Sequence, residues 1–120
     1  MIFEIKGEEM QRRIANRYFK EIIKALNECE LKFQKKPTLK SGGKRVGVEG
    51  WYGDGVIVIK NTKHTNLALV MIHETLHHLY PDWPEIDCEG EPIELFAHSL
   101  LCAFSTTQTN AILSFVPKIK

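Results

Sequence analysis

Two histidines four residues apart, His73 and His77, enclose a glutamate in His73-Glu74-Thr75-Leu76-His77. On an α-helix this spacing sends both imidazoles off one face, about one turn apart, within reach of a single tetrahedral zinc ion. Glu74 follows the first histidine, so its carboxylate can lie beside the metal rather than on it. There it can take a proton from a metal-bound water, which then attacks a carbonyl carbon. The surrounding run Leu67-Ala68-Leu69-Val70-Met71-Ile72 is apolar, which predicts a buried helix. Two histidines and a glutamate on such a helix are costly unless something satisfies them. The plain alternative is a hydrogen-bonded core pair with Glu74 at the surface.

The elements needed to position such a group are legible on either side. From Glu8 to about Asn27, Met10, Ile14, Tyr18, Ile22 and Leu26 recur every fourth position, widened by Ala15, Phe19 and Ile23. This is the pattern of an amphipathic helix, with Glu8 and Glu9 at its positive dipole end. Leu31 to Gln34 reads as a short strand, and Pro37 with Ser41-Gly42-Gly43 as a break. Val46–Tyr52 and Val56–Lys60 flank the turn Gly53-Asp54-Gly55 as a hairpin. Thr65 or Asn66 is placed to cap the motif helix, and Pro81 to stop it after Tyr80. Pro92 opens a third helix extending to about Phe104. Beyond it the segment 106–120 contains Ala111, Ile112, Leu113, Phe115 and Val116, which prefer burial.

The bulk properties exclude some classes. The 120 residues, 43% hydrophobic, suit a single domain over 1–120. Sixteen basic against fifteen acidic side chains name no partner by overall charge. No apolar leader is read at the N-terminus. The uncharged stretch from Leu95 to Val116 is too polar at its centre to span a bilayer. Cys29, Cys88 and Cys102 are odd in number and widely spaced, which fits a reducing cytoplasm better than a disulfide scaffold.

The motif and the order helix, strands, motif helix resemble the zincin metallopeptidases over about residues 8–105. The resemblance implies an α+β fold with an N-terminal backing helix, a small mostly antiparallel sheet, a zinc helix and a later glutamate-bearing helix. It also implies zinc, a peptide or protein substrate, and Glu74 as general base. A catalytic zinc needs a third protein ligand. Tyr80 and Trp83 stand where the metzincin pattern requires glycine and histidine, so that branch is excluded. The gluzincin branch, whose minimal members are of about this length, takes a glutamate from a later helix. Glu94 is the favoured candidate, with His98 four residues on as a polar partner; Glu91 and His98 remain alternatives as ligand.

Other residues have two readings each. Tyr80 can donate to a tetrahedral oxyanion or simply pack at a helix end. His78 points off the motif face, as a surface or supporting residue. Cys88 can cap a metal or be a free loop thiol. Trp51 and Tyr52 can line a cleft or pack. The Val56–Lys60 strand can pair with an extended substrate, and the segment 106–120 can cover the cleft and keep the protein latent. The basic segment Lys32–Arg45 is either a solvated loop or a nucleic-acid contact, and some zincin-like proteases act on DNA-bound proteins. Besides zinc-dependent peptide hydrolysis, two function classes stay open: a latent or silent zinc-binding domain, and a metal-dependent nuclease.

Overall fold

A computed structural model describes residues 7–82 and 92–117. It is an α+β domain in which four helices, among the described residues, pack around and beside a small mixed sheet. The order is α1 (Gly7–Glu28), β1 (Glu30–Gln34), β2 (Thr38–Ser41), β3 (Lys44–Gly47), β4 (Gly50–Gly53), β5 (Val56–Lys60), α2 (Leu67–Leu79), α3 (Pro92–Ala103) and α4 (Thr106–Leu113).

Helix α1 buries Ala15, Ile22, Ala25 and Leu26, with Tyr18, Phe19 and Ile23 half-buried beside them. This seam advances by three and four residues, as a core-facing helix must. Ile14, expected in the seam, is 46% exposed. It lies on the shoulder of the helix beside α3, where it lines a groove with Phe96.

The sheet is mixed, not mostly antiparallel as expected. Its order is β1-β5-β4, with β1 parallel and β4 antiparallel to β5. The apolar run Val56–Ile59 places β5 at the centre, where Ile57, Val58 and Ile59 are fully or almost fully buried. A strand covered on both faces shows no polar alternation. This placement corrects the expectation that Val56–Lys60 offers a free edge to substrate: both of its edges are already hydrogen-bonded, and among the described residues the open edges are β1 and β4. The Gly53-Asp54-Gly55 turn forms as expected, with Asp54 (φ 50°) and Gly55 (φ 80°) both left-handed, as a tight two-residue hairpin turn requires.

Residues expected as a break, Ser41-Gly42-Gly43, are instead the tip of a second hairpin. Strands β2 and β3 form a separate two-stranded antiparallel ribbon. Gly42 (φ 59°) and Gly43 (φ 83°) supply its turn. Lys32 to Arg45 is therefore not one loop, because it contains most of β1 and nearly all of the ribbon.

Helix α2 runs through the middle of the domain and packs on α1, α3, α4 and the sheet. Asn66 caps it, its Oδ1 accepting from the Leu69 amide at 3.2 Å. Ala68, Met71, Ile72, Thr75 and Leu76 are buried along it, and the Thr75 hydroxyl donates back to the Met71 and Ile72 carbonyls. Helix α4 starts with a capping box in which the Ser105 and Gln108 backbone N–H groups each donate to the other's side-chain oxygen. Ile112 on α4 is completely buried in the same core. The described part of 106–120 thus contributes to the core against α2. No helix among the described residues is long and apolar enough to cross a membrane.

Candidate metal centre

The face of α2 opposite its core seam presents His73 and His77. Their Nε2 atoms approach to 3.2 Å, with the rings edge to face. Two nitrogens bound to one tetrahedral ion at about 2.0–2.1 Å stand about 3.3–3.4 Å apart, so the separation of the imidazole pair is close to one edge of a zinc tetrahedron.

The other nitrogen of His73 is fixed by α3. Its Nδ1–H donates to Glu94 Oε1 at 2.7 Å. An ionised carboxylate only accepts, so in the neutral ring the proton lies on Nδ1 and the lone pair on Nε2, towards His77. Glu94 Oε2 accepts from His98 Nε2 at 2.9 Å, one turn further along α3. Glu94, expected as the third ligand, therefore reaches the site but uses both oxygens on imidazoles, at the far side of the His73 ring. His98, whose spacing from Glu94 suggested a residue that orients a histidine, instead meets the Glu94 carboxylate. Glu91 and Cys88 lie outside the described residues. Among the described residues, no three His, Cys, Asp or Glu side chains form a complete metal-ligand set. The donor chemistry fits zinc at the two imidazoles.

A pocket of about 200 Å³ opens beside this pair, lined by His73, Glu74 and Glu94 from the helices and by Glu49 and Gly50 from the start of β4. Three carboxylates around one imidazole make it a concentration of negative charge, which favours a cation. Glu74 is only 6% exposed. Gly50 explains how edge strand and helix approach so closely. A Cβ there would stand 2.6 Å from Val70 Cγ1, 3.0 Å from the Val58 carbonyl oxygen and 3.3 Å from Glu74 Cγ. Glu49 and Gly50 were not anticipated as site residues. Their sequence signal, an acidic residue and a glycine at the start of a strand, is too common to stand out before the strand is seen beside α2.

The remaining candidates lie elsewhere. His78 points away from the pair. Its Nε2 faces Glu28 Oε1 at 3.4 Å and its Nδ1 meets the Tyr52 hydroxyl at 2.8 Å, a chain that ties α1, α2 and β4 together. The Tyr80 hydroxyl donates to Glu21 on α1 at 3.1 Å, and its ring packs against Tyr18. Burial, followed by that hydrogen bond, raises its pKa above the ordinary tyrosine value. This is the packing reading of Tyr80. Cys29 is buried and free, its thiol pKa raised by burial and then by Glu28, which makes it a poor nucleophile at neutral pH. The chain matches no family model, no curated protein and no solved structure.

Proposed function

We propose that this chain is a zinc-dependent peptidase of the gluzincin-like zincin type. The observation that carries the reading is the 3.2 Å approach of the His73 and His77 Nε2 atoms above a pocket that holds the buried Glu74. His73 and His77 would hold the ion. Bound zinc would supply a water of lowered pKa and polarise the scissile carbonyl.

The chain's own groups have the following parts. Glu74 accepts the proton of the attacking water on a carboxylate oxygen and delivers it to the departing amine nitrogen. In the arrangement described, Glu94 holds the His73 ring and fixes its proton on Nδ1, the orienting role that carboxylates take behind metal-bound histidines. To serve as the third ligand, its carboxylate would have to pass from the Nδ1 side of that ring to the Nε2 side. An extended peptide would add along β4, the open edge that begins at Gly50 in the pocket wall and replaces β5 in that role.

Zinc content after dialysis, paired with hydrolysis of an unfolded protein, tests the reading. About one zinc per chain with cleavage that Glu74→Gln abolishes is the expected result. Zinc without cleavage would make the chain a silent zinc-binding domain. Absence of stoichiometric zinc removes the proposal.

A further inference from the structure

We propose that the β2–β3 ribbon is a duplex-DNA binding arm that uses the phosphate backbone without requiring a particular base sequence. Residues 31–48 contain six basic side chains and no carboxylate. The rest of the chain is left with ten basic against fifteen acidic residues, a net charge of −5. The near-neutral whole therefore conceals a strongly cationic end.

The fold presents that charge instead of neutralising it. Lys35, Lys36, Lys40, Lys44 and Arg45 are all exposed. None of these five forms an ion pair among the described residues, whereas Lys32 is 3.9 Å from Glu30. The register places Lys40 directly opposite Arg45. Like charges in that relation destabilise a strand pair, and the one hydrogen bond there, Arg45 Nη1 donating to the Thr38 hydroxyl at 2.8 Å, leaves the charge intact. An external polyanion would relieve the repulsion. On the other face, Leu39 and Val46 form a cross-strand pair, each 42% exposed, available for sugar or thymine-methyl contact.

The shape selects among polyanions. Two strands about 4.8 Å apart enter the major groove of B-DNA, which is about 12 Å wide. The major groove of duplex RNA is too deep and narrow for side chains to read. Single strands are held chiefly by stacking on aromatic side chains. The one aromatic in 31–48 is Phe33, which is half-buried against the core. At its base the ribbon borders a recess of about 470 Å³ that includes Lys36, Lys60 and Glu49. Glu49 also lines the pocket of His73 and Glu74, so bound DNA would lie next to the candidate metal centre. The DNA proposal does not depend on that centre.

The test is fluorescence anisotropy of the full chain with a labelled mixed-sequence duplex of about 30 base pairs across about 50–200 mM salt. Binding should weaken steeply with salt. The triple variant Lys40→Gln, Lys44→Gln, Arg45→Gln should lower affinity at least about tenfold and flatten the log–log salt slope by about 0.9 per removed phosphate contact. Lys20→Gln with Lys24→Gln, which removes exposed charge from α1, should change neither. Circular dichroism and zinc content, expected unchanged in the triple variant, separate this outcome from loss of fold or of the metal centre. Failure of the parent to bind at low salt would overturn the proposal. So would an unchanged slope in the triple variant, or tighter binding of single-stranded DNA or polyglutamate than of the duplex.

Discussion

His77 and His78 are neighbours in sequence, yet they face different sides of α2 and meet different partners. A helix turns about 100° per residue, enough to separate them. His77 meets His73 at 3.2 Å, nitrogen to nitrogen, beside a pocket rich in carboxylates. His78 is enclosed by Tyr52 and Glu28, so a hydroxyl and a carboxylate take both of its nitrogens. The Gly55 amide in turn donates to the Tyr52 oxygen at 3.3 Å, so that the network ends in the β4–β5 turn. His78, joined to Glu28 on α1 and to Tyr52 on β4, acts as a brace between elements. A pair with facing nitrogens is a site for a shared proton or cation.

The strongest way to break this contrast is to remove the pair. His73→Ala combined with His77→Ala should reduce bound zinc from about one per chain to none, as read by plasma mass spectrometry. His78→Ala should leave the zinc content unchanged. Equal losses from both variants would dissolve the distinction between the two faces.

A second substitution separates proton transfer from metal binding within the pair's own face. Glu74→Gln should retain zinc and lose about 10²–10⁴-fold in hydrolysis rate, the usual worth of a positioned general base. Loss of zinc with the rate would place Glu74 on the metal instead.

The part played by Glu94 is the next to sharpen. Acting through His73 Nδ1, its removal in Glu94→Ala should weaken zinc about 10–100-fold. Complete loss of zinc would make Glu94 a direct ligand, as the family resemblance implies.

Smaller effects belong to the scaffold. Gly50→Ala places a methyl group against Val70 and the Val58 carbonyl and should destabilise the domain by about 1–3 kcal/mol in urea unfolding. Because the same methyl approaches Glu74, hydrolysis should fall with stability. On the bracing side, Tyr52→Phe should cost about 0.5–1.5 kcal/mol and leave zinc binding unchanged, since its hydroxyl meets His78 and the Gly55 amide rather than the pair.

The sequence by itself determined the elements. The three-and-four spacing of apolar residues specified α1, although Ile14 escaped the seam because α3 leaves that shoulder open. Asn66 and Pro81 bracketed α2, and Gly53-Asp54-Gly55 specified its hairpin, because caps and left-handed turns are short-range features written in a few adjacent residues. The i, i+4 histidines were legible for the same reason: one helical turn brings them together. What depended on distant segments was decided only by tertiary structure. That β5 is central, and that β4 is an open edge among the described residues, follows from the pairing of β1 with β5 across the ribbon and β4, which no local pattern encodes. Glu49 joins the pocket only because Gly50 lets β4 approach α2. Glu94 lies twenty-one residues from His73 in sequence, and ligand spacing alone could not tell which ring nitrogen it would meet. Its position depends on how α3 packs against α2, and that packing places the carboxylate on Nδ1.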